Sequence, residues 1–211
     1  MTVRHLTNDE LGKISSPSEQ QRLLLHCCCA PCASYVLEYL SPIFKITVLF
    51  YNPNIQPHEE YDKRAAELRK LLALCDRSGN VGIHICEYDP ACFEIATAMF
   101  MDEPEGGRRC RVCFGLRLGE TAARAKEGGF DYFSTTLSVS PHKNAAVINE
   151  IGGALMGDKG INYLYADFKK RDGYKRSIEL SKQFGLYRQS YCGCMPNSLC
   201  GAQGVRGSVL D

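Results

Sequence analysis

The chain has 211 residues, of which 45% are hydrophobic and 23% charged, ordinary globular usage that excludes general disorder and fits one compact domain with at most a small appendage. Its 25 Lys and Arg against 24 Asp and Glu give a net charge of +1, which by itself signals no nucleic-acid partner, although local clustering still makes basic patches. The opening segment is polar and lacks the apolar core of a signal peptide, and no later stretch reaches the roughly 18 apolar residues that span a bilayer, so the expectation is a cytoplasmic protein without a membrane partner.

Residues 1–20 read as a flexible extension. The apolar run RLLLHC at 22–27 is the first buried strand, and it leads through HCCCAPC into a helix at about 32–40. KITVLFY at 45–51 is a second strand, followed by a turn-rich loop, YNPNIQPHEEY, in which Pro after Asn fixes extended backbone. A helix begins near Pro57 and carries Tyr61, Ala65, Leu68, Leu72 and Cys75 along one stripe. Strands follow at 82–87, 130–135 and 161–166, with helices at 90–100, 110–127, 144–156 and 174–184 and Gly-containing stops behind two of them. Residues 21–195 thus form a single catalytic α/β domain, and 196–211 a tail. Such alternation implies a mostly parallel five-stranded sheet with helices on both faces, whose ligands gather at the carboxyl ends of the strands. HCCCAPC sits there.

Twelve cysteines are many for a compartment that keeps thiols reduced, which favours metal binding or redox work over a disulfide framework. Eight of them form three groups: Cys27, Cys28, Cys29 and Cys32; Cys110 and Cys113; Cys192 and Cys194. The middle pair, three residues apart at a helix start, shares one helix face, and a helix N-terminus favours thiolates. Strand alternation turns Cys27 away from the neighbours that face the site, and Cys75, Cys86, Cys92 and Cys200 read as packing. Cys28, Cys29, Cys110, Cys113, Cys192 and Cys194 are the expected metal ligands. A structural zinc takes four ligands from closely spaced pairs, whereas an iron–sulfur cluster takes four and leaves a surplus for a second metal or for catalysis. CAPC alone fits a thioredoxin-like dithiol oxidoreductase, but that reading leaves the two later groups unexplained.

HCCCAPC, FYNPNIQPHEEYDKR, RRCRVC, FSTTLSVSPHKN and YRQSYCGC, in this order, resemble the cobalamin-independent epoxyqueuosine reductases of the QueH family, over about residues 22–195. The resemblance implies a HUP-like α/β fold, a [4Fe–4S] cluster with an adjacent mononuclear iron, and reduction of epoxyqueuosine to queuosine at the wobble position of the tRNA anticodon loop, the last step of queuosine biosynthesis. It places metal ligands at Cys28, Cys29, Cys32, Cys110, Cys113, Cys192 and Cys194, with catalytic roles for Cys28, Cys32 and Cys194. Some relatives carry Asp at the position of Cys32, a residue type that also ligates iron, which assigns Cys32 to the lone iron rather than to the cluster. Removing an epoxide oxygen to leave an alkene takes two electrons, two protons and a group that holds the departing oxygen. A cluster passes electrons singly and an iron with an open position is a Lewis acid; a ferredoxin or flavodoxin is the expected electron carrier.

Arg108 and Arg109 beside the middle cysteines, Lys143 before a helix start, Thr135 and Thr136 at a strand end, and Arg188 before YCGC are the expected substrate contacts. Asn52, Asn54 and Glu60 are further polar candidates, Lys169, Lys170 and Arg171 a basic stretch, and His26 a residue that hydrogen-bonds behind the ligands. Two rivals are a PP-loop-type iron–sulfur tRNA sulfur transferase, whose S-G-G-x-D-S phosphate loop is replaced here by HCCCAPCAS, and a zinc-stabilised RNA-binding module.

Overall fold

The structure, a computed structural model, describes residues 20–76 and 81–194, the side chains of 157–159 excepted. Both expected terminal extensions lie outside the described residues apart from Gln20, and so does Cys200. The elements run β1 (Arg22–His26), α1 (Ala30–Leu40), β2 (Lys45–Phe50), α2 (His58–Cys75), β3 (Gly82–Ile85), α3 (Ala91–Thr97), α4 (Arg108–Glu127), β4 (Tyr132–Thr135), α5 (Ala145–Lys159), β5 (Asn162–Tyr163) and α6 (Gly173–Gln183), with 3₁₀ turns at Ala98–Phe100 and Thr136–Val139.

All strand pairings are parallel, in the order β3-β2-β1-β4-β5. The α/β architecture expected from the alternation is therefore the observed one. β1 is central and apolar on both faces because each face is covered. Leu23, Leu25 and Cys27 pack with Val36 and Leu37 of α1 and Leu68 and Leu71 of α2. Leu24, Cys28 and Cys29 pack on the other side with Leu118 and Ala122 of α4 and Ile148 of α5. The period-2 geometry of a strand makes this division. The chain leaves β1 toward β2 on one side and reaches β4 on the other, so a crevice opens between the carboxyl ends of β1 and β4.

Three expectations need trimming. The fifth strand is two residues long: Leu164 N–H still bonds the Phe133 carbonyl at 2.9 Å, but the Asn149 side chain then donates to and accepts from the backbone of Ala166 at 3.0 and 3.2 Å in place of a strand partner. The third ends early, because the Tyr61 hydroxyl takes the Cys86 carbonyl. Cys75, placed on the core stripe of α2, is exposed, since the helix end runs past the core that Tyr61, Ala65, Leu68 and Leu72 enter. Among the described residues no helix is long and apolar enough to cross a membrane.

Candidate metal centre

The end of β1 delivers Cys28 and Cys29, and Cys29 is the N-cap of α1, its carbonyl accepting from Ala33 N–H at 3.1 Å. Pro31 in the first turn has no N–H to waste there, and Cys32 follows on the same turn. The three ligand sulfurs lie within 4.8 Å of one another. Sulfurs around one tetrahedral ion with metal–sulfur bonds of ~2.3 Å are ~3.8 Å apart, and those of Cys28 and Cys29 are 3.8 Å apart. The donor set fits a single ion. The hydrogen-bonded neighbours Cys29 and Cys32 hold Cys28 well below the usual thiol range, while the same pairing with Cys28 pushes Cys29 up to about 12.

The other four thiols surround a separate cavity of ≈ 160 Å³. Cys110 and Cys113 come from the first turns of α4, and burial pushes the Cys113 thiol up to about 11. Cys192 is held well below the usual range by a hydrogen bond from Cys194, and Lys143 and Arg117 add to that lowering. Cys28, Cys29 and Cys32 instead line a cavity of ≈ 620 Å³, and Cys192, Arg117 and Lys143 belong to the walls of both.

Cys192 and Cys194 lie on backbone that is neither helix nor strand. Side chains hold it: Arg64 of α2 donates to the Cys192 carbonyl at 2.9 Å and the Tyr191 carbonyl at 3.4 Å, and its own charge is paired with Glu60 at 2.7 Å. Gln56 N–H donates to the Gly193 carbonyl at 2.8 Å. Gly193 has φ of +105°, and a Cβ there would stand 3.2 Å from Arg64 Nη2, so YCGC needs its glycine.

Three cations face the sulfurs, Arg117 and Arg109 buried and Lys143 half-buried. Arg117, 1% exposed, donates through Nε to the Cys113 carbonyl at 3.2 Å. Burial works against the charge of Lys143, yet the neighbouring thiols of Cys192, Cys28 and Cys32 hold its pKa above the usual lysine value. Arg109 is buried with Nη1 on the Met101 carbonyl at 3.1 Å. Sequence reasoning missed Arg64 and Arg117. The available signal was periodicity: Arg117 follows Cys110 and Cys113 on one helix face, at seven and four residues, and Arg64 follows Glu60 by four.

The remaining expected residues divide. Arg188 lines the larger cavity, with Nη1 on the Ser177 carbonyl at 3.4 Å and Ser181 Oγ at 3.2 Å. Arg108 stands outside both cavities, exposed, paired with Glu103 and lying over the Phe100 ring. Thr135 and Thr136 are enclosed. The Tyr51 carbonyl can only accept, so His26 donates to it from Nε2 at 3.1 Å, and Nδ1 then accepts from the Thr135 hydroxyl at 2.8 Å. Burial and then the Arg117 charge lower the His26 pKa to about 4, which keeps this tautomer neutral. Asn52 donates to the Cys27 carbonyl at 2.9 Å, whereas Asn54 lines the larger cavity. Lys169 is tied to Asp167 at 3.1 Å.

An all-parallel α/β domain with a cysteine cluster at the switch point of its sheet, opposed by Arg117 and Lys143, has the donor set of a metal-binding protein. The family model described as epoxyqueuosine reductase QueH matches residues 23–198. Proteins named epoxyqueuosine reductase QueH resemble the chain over most of its length: 44% identity for one from Streptococcus pyogenes, covering 84% of this chain and 71% of the relative, and 42% for one from Staphylococcus epidermidis, covering 84% and 76%. A third, from Thermotoga maritima, is 36% identical over 82% of this chain and 88% of its own. The chain belongs to the QueH family of epoxyqueuosine reductases.

Proposed function

We infer that the protein is an oxidoreductase that converts epoxyqueuosine in tRNA to queuosine, the final step of queuosine biosynthesis. The observation that carries the reading, beside family membership, is the division of the thiols. Cys28, Cys29 and Cys32 have the spacing of ligands to one ion, and Cys110, Cys113, Cys192 and Cys194 surround a second space, with Cys192 in the wall that the two cavities share. Four thiols suit a [4Fe–4S] cluster and three a mononuclear iron with an open position. Bound there, these groups supply single electrons and a Lewis acid.

The chain's own residues do the rest. The larger cavity accepts the modified base, and the enclosed Thr135 and Thr136 are left out of its contacts. Lys143, in the wall shared by both cavities, places an ammonium where negative charge develops on the departing oxygen. The oxygen leaves as water with two protons and two electrons as both epoxide C–O bonds break and the alkene forms. Arg188, its guanidinium anchored at the rim, and the exposed Arg108 are placed for anticodon-loop phosphates, while unstacked bases enter the cavity. Electrons reach the four-thiol side from a small carrier such as a ferredoxin or flavodoxin.

The test is anaerobic incubation of iron-loaded protein with dithionite and epoxyqueuosine-containing tRNA, followed by mass analysis of the nucleosides. Loss of one oxygen atom from the modified nucleoside is expected; an unchanged mass overturns the assignment.

A further inference from the structure

Five described residues border both cavities: Glu105, Arg117, His142, Lys143 and Cys192. Of these only Arg117 is buried. Its Nε is fixed on the Cys113 carbonyl, and its Nη2 is enclosed without a hydrogen-bond partner. Burial works against its charge, and the groups that sustain it are thiols: Cys113, Cys192, Cys28 and Cys194.

A guanidinium does not deprotonate in a protein, and burying one without an opposing anion costs several kcal/mol. The position makes physical sense when the sulfurs around it are thiolates bound to metal. Adding an electron to a metal group held by such thiolates increases negative charge next to a cation that cannot move away. Coulomb attraction then favours the reduced state more than the oxidised one, and a hydrogen bond to sulfur acts in the same direction.

We propose that Arg117 is the positioning residue that sets the reduction potential of the metal group held by Cys110, Cys113, Cys192 and Cys194, through its fixed charge and the free Nη2 donor. This rests on the reading of those four thiols as ligands of a redox-active iron–sulfur group. Arg117 touches no substrate. Its effect is to raise the fraction of protein that a given electron donor reduces.

The experiment compares iron-loaded wild type, Arg117→Gln and Arg117→Lys by dye-mediated redox titration, with the reduced centre read by electron paramagnetic resonance. Iron, labile sulfide and absorbance near 400 nm are measured first: a wild type without an iron–sulfur signature refutes the cofactor reading itself, a failure distinct from that of Arg117. At one fixed applied potential, the ratio of reduced to oxidised centre is expected to fall about tenfold in R117Q and to stay within about threefold of wild type in R117K, which keeps the charge. An R117Q protein with wild-type iron and sulfide and an unchanged ratio overturns the proposal. Should R117Q not retain iron, hyperfine coupling of exchangeable protons to the reduced wild-type centre decides. A coupling that changes in R117K is expected, and one indifferent to the replacement overturns the proposal.

Discussion

Cys28, Cys29 and Cys32 stand on the seam between β1 and α1, where a strand ladder on one side and a helix turn on the other fix the backbone. Cys192 and Cys194 stand on a segment whose position depends on Arg64, Gln56 and a glycine at positive φ. The first wall of the site is thus a by-product of folding the sheet. The second is docked onto it by a few polar contacts. A site assembled in this way has its thiols under separate control: what damages the first wall threatens the core, whereas what damages the second can leave the core standing.

The largest expected effect tests whether both walls serve one reaction. Replacing Cys29 or Cys192 by Ala is expected to lower turnover of epoxyqueuosine tRNA by more than about 100-fold in each case, because loss of a ligand exceeds the tenfold to 100-fold typical of groups that merely orient ligands. Iron content separates the walls: each variant should lose the metal of its own side first. Full turnover in C192A would detach the second wall from the chemistry.

Arg64→Met comes next. It strips the donors from the Tyr191 and Cys192 carbonyls and leaves Glu60 buried without its cation, a change worth about 3–5 kcal/mol. Denaturant unfolding should show that loss. The double replacement of Arg64 and Glu60 by Met and Gln should recover most of it while iron at Cys192 and Cys194 stays low. Recovery of both would mean that the second wall needs no tether.

Acid should act on the first wall through His26. Its folded pKa of about 4 lies below the unfolded value of 6.5, so between these the unfolded chain binds more protons. The stabilisation from the neutral ring is complete above pH 6.5 and is lost as pH falls toward 4, in all on the order of 3 kcal/mol. Thermal unfolding across that window should steepen in wild type and flatten in His26→Gln; equal slopes would remove His26 from the account. Gly193→Ala is the smallest perturbation, about 1–3 kcal/mol of local strain. It should reduce iron retention on the second wall with little shift of the main unfolding transition, which circular dichroism and iron analysis can follow together.

Much of this molecule is readable along the chain. Leu23, Leu24 and Leu25 of the first strand and Ile46, Val48, Leu49 and Phe50 of the second are apolar as two covered faces require, and the stripe on α2 follows helical spacing. The cysteine groups are conspicuous because they cluster in the sequence, at a strand end, at a helix start and in a Gly-containing loop. Arg64 and Arg117 were not conspicuous, since a cation on an amphipathic helix ordinarily marks its solvated face. Their burial is decided by what packs against that face. Thr135 looked available at a strand end, yet its hydroxyl is taken by His26 from the neighbouring strand.

The sequence by itself determined the alternation of strands and helices, the placement of HCCCAPC at a strand end and the presence of three cysteine groups, because periodicity and local spacing are properties of neighbours in the chain. Only the tertiary structure decided which thiols share a space: three within ligand distance of one another, four around a second cavity, and Arg117 in the wall between. Those relations join residues from both ends of the described chain, and they exist once the sheet order β3-β2-β1-β4-β5 has brought the ends of β1 and β4 side by side.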